Sequence, residues 1–278
     1  MDRKNKIQQF AAMADRAEDV RLIQEIEARR KAIMRGRAPA RAGEQWRELH
    51  VAGCTFRLNM LSAAASLDTL IDLWGDSAHM RLPAFEGQAN RRVLDIGANE
   101  GYYSLRIKHQ NSAAKVIALE PVQQSYDQLA ANIWLNACRD VYALRAAASE
   151  SDGPLTLQRH PAVPTVSGKN TEALNQTWIR REDLRDEQVQ GYRLDTLMPG
   201  YSGYGFDWID LIKIDVEGDE LNVLKGAEDT LGKTSRIVIE WHTARLKSEV
   251  ISFLEQRGFR LLREEGHRFG DLYFERST

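Results

Sequence analysis

From residue 92 onward, short apolar segments alternate with amphipathic ones, and that alternation restricts the possible folds more than any other feature. Residues 92–97, 115–120, 141–147, 210–215 and 236–240 read as strands. Helical spacing fills 101–110, 123–137, 218–232 and 243–257, and Gly258 stands where a helix-ending glycine is expected. Strands apolar on both sides belong in a parallel sheet with helices on both faces. Two further strands, 259–263 and 271–275, are separated by Gly266 and Gly270 and predict an antiparallel C-terminal hairpin. The expected fold class is α/β: a doubly wound, mostly parallel seven-stranded sheet. Ligands of such sheets sit outside the C-terminal strand ends, where the strand order reverses.

Residues 1–90 have a different texture. Phe10, Met13, Ala17, Val20, Ile23 and Ile26 recur every three or four positions, which predicts one amphipathic helix over about 6–34, ended by Gly36 and Pro39. Residues 49–58 read as one short strand and 60–74 as a second helix. The expected organisation is a mostly helical N-terminal region, 1–90, preceding a ligand-binding domain, 91–278. The N-terminal region would cap that domain or cover a substrate; its single apolar stripe also fits a homodimer contact.

Composition narrows the class of function. With 278 residues, 43% hydrophobic and 28% charged, the chain holds enough apolar material for a large core. A net charge of −2 offers no general basic field for coating nucleic acid. The one basic stretch is 29–47, with seven Lys and Arg against Glu44 alone; it is either a solvated helix face and linker or a contact for an anionic partner. Two cysteines, Cys54 and Cys138, make no disulfide framework and fit a reducing compartment. Apolar runs such as Val116–Leu119 are strand-sized, and the basic N-terminus is not followed by an apolar stretch. The expectation is a cytoplasmic protein with no membrane span.

The chemistry concentrates at the strand ends. The first strand runs into Asp95-Ile96-Gly97-Ala98-Asn99-Glu100-Gly101-Tyr102-Tyr103. A glycine turn between strand and helix brings backbone close to a ligand. It lacks the third glycine of the dinucleotide fingerprint and the Gly-Lys-Ser/Thr of a P-loop. Asp95 would repel a pyrophosphate and suit a cationic amine. Glu120 ends the second strand, 25 residues downstream, where an acid accepts hydrogen bonds from both hydroxyls of a ribose. A nucleoside carrying a sulfonium, S-adenosylmethionine, satisfies both features.

The run Val-Leu-Asp-Ile-Gly-Ala-Asn-Glu-Gly-Tyr-Tyr-Ser-Leu (93–105) resembles motif I of class I methyltransferases, and its Gly-Ala-Asn-x-Gly form is similar to the FkbM family. Asn132 to Asn136, Ala146 to Ser149, Tyr192 to Leu197 and above all Ile212-Lys213-Ile214-Asp215-Val216-Glu217-Gly218 agree in order, so the resemblance spans about 90–275. It implies a Rossmann-like fold, S-adenosylmethionine as cofactor, and O-methylation of hydroxyls on sugars, polyketides or other secondary metabolites. It assigns Asp95, Gly97, Ala98, Asn99 and Gly101 to the loop around the methionine part, with Tyr103 just beyond. Glu120 takes the ribose, followed by Pro121, and Ala147 and Ala148 lie where adenine packs. Glu100 stands where the family often has an apolar residue.

Asp215 and Glu217 follow the fourth strand, and Glu240 and His242 the fifth, so all four are expected on the cofactor edge. Methyl transfer to a hydroxyl needs alignment and removal of one proton. His242 can be that base, or a carboxylate with a raised pKa can. The same set also resembles a hard-metal site, since catechol O-methyltransferase-like enzymes place Mg²⁺ at equivalent strand ends. Asp215 and Glu217 alternatively cap the following helix. The Asn/Asp-Pro-Pro-Tyr/Phe sequence common in amino-methylating enzymes is replaced here by Asp-Val-Glu-Gly, which favours O-methylation. Residues 151–192 form a long connection that begins like an added strand and reads as a substrate-facing lid, with Trp178 available to stack on a sugar. Two alternatives stand beside the small-molecule enzyme: an RNA or peptide methyltransferase using 29–47, and a binding module without catalysis.

Overall fold

A computed structural model describes residues 3–34, 46–75, 82–160, 163–168, 181–267 and 269–277. The N-terminal part comprises helices α1 (Arg3–Ala11) and α2 (Ala17–Met34), strands β1 (Trp46–Val51) and β2 (Cys54–Asn59), and helix α3 (Ala63–Leu70). The single helix expected over 6–34 is interrupted because its middle pairs with the next element. The Met13 carbonyl accepts from Ala52 N–H, Asp15 N–H donates to His50, and the Asp15 carboxylate accepts from Gly53 N–H. The strand expected at 49–58 is an antiparallel hairpin. Its two-residue turn, Ala52-Gly53, has φ of 52° and 75° at the two positions, the left-handed conformation that matches strand twist.

The main sheet contains β3 (Arg92–Ile96), β4 (Lys115–Leu119) and β5 (Val141–Leu144), each of the first two followed by a helix, α4 (Tyr102–Gln110) and α5 (Gln123–Leu135). Four short strands come next: β6 (Ala147–Ala148), β7 (Gly153–His160), β8 (Val163–Gly168) and β9 (Arg185–Tyr192). Then follow α6 (Leu194–Leu197), β10 (Ile209–Ile214), α7 (Glu220–Lys225), α8 (Glu228–Gly232), β11 (Thr234–Trp241), α9 (Ala244–Glu255), β12 (Phe259–Glu264) and β13 (Gly270–Arg276). The seven-stranded order is β12-β13-β11-β10-β3-β4-β5, with β11, β10, β3, β4 and β5 parallel and β13 antiparallel to both neighbours. The expected Rossmann-like α/β architecture and its C-terminal hairpin are both present.

Two-sided burial follows from alternation along each strand. Leu94, Ile96, Ile212, Ile214, Ile237 and Ile239 pack against α7, α8 and α9. Val93, Val116, Ala118, Leu211 and Val238 face the other way, into a cluster shared with Leu105 and Ile107 and with Phe10, Ile23, Ile26, Leu49, Phe56 and Trp74 of the N-terminal part. Fully buried side chains of this size contribute roughly 1.5–3 kcal/mol each. Of the apolar stripe considered for a homodimer, Phe10, Ile23 and Ile26 are buried within the chain, Met13 and Val20 are half-buried and Ala17 is exposed.

Two segments depart from expectation. The strand expected over 141–147 ends at Leu144, and Ala147-Ala148 begins a second sheet of order β6-β9-β7-β8. The expected lid is thus largely this sheet, and its strand β8 lies beside α3 and α5. The helix expected over 218–232 breaks between α7 and α8 because Gly226 lies against the Ser149 carbonyl, where a Cβ would collide. Trp178 and the centre of the basic stretch, 35–45, fall outside the described residues. Around it, Arg30 pairs with Asp68, Lys31 with Glu27 and Arg47 with Glu25, so these cations are already matched by acids of the same chain. Among the described residues, no helix is long and apolar enough to cross a membrane.

Candidate active site

The turn after β3 is stitched to both neighbouring strands. Gly97 and Ala98 N–H donate to the Leu119 carbonyl at 3.0 and 2.9 Å, and Asp215 N–H donates to the Ile96 carbonyl at 3.1 Å. Gly97 has φ +75°, and a Cβ there would run into the Asp215 carbonyl. Gly101, φ +85°, opens α4 where a Cβ would strike Leu129. Only glycine satisfies both the dihedral and the space.

Glu120 closes the far side of the turn. It is 5% exposed, and its two oxygens accept from Asn99 N–H and Val122 N–H, each at 2.8 Å. Burial lifts its pKa from 4.5 to about 7, against the pull of these two amides and of Lys213. Each carboxylate oxygen keeps a further lone pair for a ligand hydroxyl. Asn99 takes φ 49°, and its Oδ1 is sequestered yet accepts no hydrogen bond from any described residue. A cradle that only glycine permits, an idle buried acceptor and an acid at the next strand end fit a nucleoside bearing an amino acid. Pro121 is half-buried beside them.

Four of the residues expected to contact the cofactor are buried by the protein itself. Asp95 is 0% exposed and faces inward: Ser104 Oγ donates to it at 2.6 Å and Lys213 Nζ lies 3.3 Å away. The cation it was expected to suit is supplied by the protein. Tyr103 is 2% exposed and belongs to the core, with Lys213 Nζ 6.0 Å from its ring centre. Ala147 and Ala148 are buried in β6, paired with Gly191 and Tyr192, past the end of the main sheet's edge strand.

Asp215, Glu217, Glu240 and His242 do converge. Asp215, Glu240 and His242 each offer one atom, all within 4.8 Å of one another. Glu217 lies 3.3 Å from His242 Nε2 and Glu220 lies 3.1 Å from Nδ1. Burial by itself lowers the imidazole pKa, but the hydrogen bonds and charges of Glu217 and Glu220 prevail and push it up to about 12. Both His242 nitrogens are thus engaged by carboxylates that favour the imidazolium, which, of the two kinds of base expected, points to a carboxylate. Burial raises the Glu217 carboxyl above its usual range in spite of His242. Glu217 also holds φ 55°, a conformation that costs a non-glycine residue energy and recurs at functional sites.

Two supports had no role in the sequence reading. Lys213 is 4% exposed; its Nζ donates to the Gly97 carbonyl at 2.6 Å and sits 3.3 Å from Asp95 and 3.4 Å from Asp215. Burial lowers an ammonium pKa, yet Asp215, Asp95 and Glu240 carry it up to about 12. Glu220 is 0% exposed and accepts from Gly218 N–H at 3.0 Å as well as holding His242. The signal for Lys213 was a cation inside the apolar run Leu211-Ile212-Lys213-Ile214 of a strand covered on both faces, which demands a buried partner.

Residues 95–261 match the methyltransferase FkbM domain. The chain belongs to the FkbM methyltransferase family. Among its relatives are the methyltransferase sdnD of Sordaria araneosa, 33% identical over 197 residues (63% of this chain, 76% of the relative), and the 31-O-demethyl-FK506 methyltransferase FkbM of Streptomyces tacrolimicus, 28% identical over 200 residues (64% and 75%). The hexuronic acid methyltransferase AglP of Haloferax volcanii is 25% identical over 185 residues (66% and 70%). Membership makes this an S-adenosylmethionine-dependent methyltransferase, and the glycine turn after β3 lies at the start of the matched residues.

Proposed function

We propose that the protein O-methylates a hydroxyl of a small molecule, such as a sugar or another secondary metabolite. The observation that carries this reading is the contact of Gly97 with the Asp215 carbonyl, which sets the four-residue cluster Asp215, Glu217, Glu240 and His242 directly beside the cofactor turn. Bound S-adenosylmethionine supplies an electrophilic methyl on a sulfonium. Glu120 would accept the ribose hydroxyls, and Asn99 Oδ1 would receive an N–H of the cofactor. The acidic cluster would hold the acceptor hydroxyl beside that methyl, so that its oxygen gains the methyl as the sulfonium becomes a thioether. The proton passes to Glu217, a carboxylate whose raised pKa suits a base; His242, fixed by Glu220, orients it. The names of relatives that act on 31-O-demethyl-FK506 and on a hexuronic acid favour oxygen as the acceptor atom.

A divalent metal fits this arrangement poorly. Asp215, Glu240 and His242 lie close enough to share an ion, but both His242 nitrogens already face Glu217 and Glu220, and Mg²⁺ prefers oxygen ligands. No step is assigned to Mg²⁺.

The test is transfer of labelled methyl from S-adenosylmethionine to a panel of neutral sugars and hydroxylated rings, in parallel with RNA and peptide pools. Product should form on a small-molecule hydroxyl and persist in EDTA. Glu217→Gln should lower kcat by about 100-fold or more, the size of a lost general base, while cofactor affinity stays within about twofold. Labelling of RNA or peptide alone would reject this acceptor class.

Glu120 also sets a pH dependence. Its pKa in the folded protein, about 7, exceeds the ordinary 4.5, so the folded chain retains a proton that the unfolded chain has lost between those values. The group's contribution to stability is complete below pH 4.5 and declines as pH rises through 7. Cofactor binding has the opposite sign, because ribose hydroxyls favour the ionised carboxylate. Calorimetric affinity for S-adenosylmethionine should weaken as pH falls below about 7, approaching tenfold per unit. A flat profile between pH 5.5 and 8 would detach Glu120 from the ribose.

A further inference from the structure

The cofactor turn is held in place from its back by the N-terminal part of the chain. Glu100 is 3% exposed and turned away from the cofactor side. Its carboxyl receives Tyr102 Oη at 2.5 Å and has the Ser66 side chain of α3 as a polar neighbour; Ser66 is 0% exposed, and its Oγ donates to the Ser62 carbonyl at 3.4 Å. The Glu100 carbonyl accepts from Asn132 Nδ2 at 2.8 Å, and Asn132 Oδ1 in turn accepts from the backbone N–H of Arg57 in β2 at 2.8 Å. The Tyr102 carbonyl accepts from Trp74 Nε1 at 3.2 Å, and the Tyr102 ring stands edge-on to Phe56 at 5.6 Å. Thus α3, the β1–β2 hairpin and Trp74 all reach the two residues on either side of Gly101.

An apolar residue would fill the Glu100 site at lower cost, since burying a carboxyl is unfavourable unless its hydrogen bonds are made. What the acid adds is direction. The hydrogen bonds to Tyr102 and Asn132 fix where Glu100 sits, with Ser66 of α3 alongside, and Asn99, next in the chain, donates to Glu120 at 2.8 Å. A turn that slides off α3 takes Asn99 with it and loosens the acid on the opposite side.

We propose that the N-terminal region positions the S-adenosylmethionine turn through Glu100 and Ser66, so that cofactor affinity is set in part by residues outside the family domain. Glu100 is a positioning residue in this scheme and touches no reactant. The proposal rests on the assignment of 97–101 as the cofactor turn.

The experiment is calorimetric titration of the full chain and of Glu100→Gln, Glu100→Leu and Ser66→Ala with S-adenosylmethionine and S-adenosylhomocysteine, below the unfolding transition of each protein. Glu100→Leu should weaken both ligands by about tenfold, the worth of one well-placed hydrogen bond to a buried group, and Ser66→Ala by about threefold or more. Glu100→Gln keeps the shape and the hydrogen bonds and should bind within about twofold of the parent. Should Glu100→Leu fail to fold, Ser66→Ala removes only one oxygen from a helix and carries the test. Parent-like binding by both Glu100→Leu and Ser66→Ala overturns the proposal, and so does a Glu100→Gln protein as weak as Glu100→Leu. A parent chain that binds neither ligand overturns instead the assignment of the cofactor turn on which the proposal rests.

Discussion

Lys213→Met is expected to destabilise the protein by about 3–5 kcal/mol, the cost of leaving a buried charge without its partner. Lys213 stands between Asp95, which has no exposed surface, and Asp215, which opens on the site. Methionine fits the volume but leaves Asp95 with Ser104 as its hydrogen-bond donor and releases the Gly97 carbonyl. The measurement is chemical denaturation of the parent, of Lys213→Met, and of Lys213→Met combined with Asp95→Asn. The double variant removes the stranded charge and should recover more than half of the loss. A single-variant cost below about 1 kcal/mol, the range of exposed ion pairs, would mean that Lys213 is no more than a solvated partner.

Glu120→Ala is expected to weaken S-adenosylmethionine by about 100-fold or more. Two hydroxyl hydrogen bonds to a carboxylate are lost, each worth roughly 1.5–3 kcal/mol. The amides of Asn99 and Val122 lose their acceptor in the same change, so the turn on one side and the start of α5 on the other both loosen. Calorimetry with S-adenosylhomocysteine should show a comparable loss, because both ligands carry the same ribose. Affinity within fivefold of the parent would place the ribose elsewhere.

The main sheet was legible because its signal is local. Val93-Leu94, Val116-Ile117 and Ile237-Val238 are adjacent apolar pairs, and a pair buried on opposite faces declares a covered sheet. The glycine turn was legible for a similar reason, since Gly97 and Gly101 occupy positions where a Cβ collides. Elements defined by pairing with distant segments were not. The 6–34 helix breaks only because Met13 and Asp15 pair with a hairpin some forty residues later, and periodicity carries no record of that. The second sheet was reduced to one added strand and a lid because β7 and β9 are alternately half-exposed and joined across a long connection. At the site, residue types predicted the convergence of Asp215, Glu217, Glu240 and His242 but not the protonation of His242. That depends on Glu217 and on Glu220, three residues further on, which face the two nitrogens of the imidazole.

The cluster that joins Phe10, Ile23 and Phe56 to Val93, Val116 and Tyr273 has a consequence for how such a chain can change over time. The boundary near residue 90 separates two compositions, but the two parts share one interior and so are expected to melt together. Substitutions in the N-terminal part are free only on its outer surface, and every inward position is answerable to the catalytic sheet it covers. A lineage that altered this region to admit a new acceptor would have to do so from the outside, or repack both parts at once.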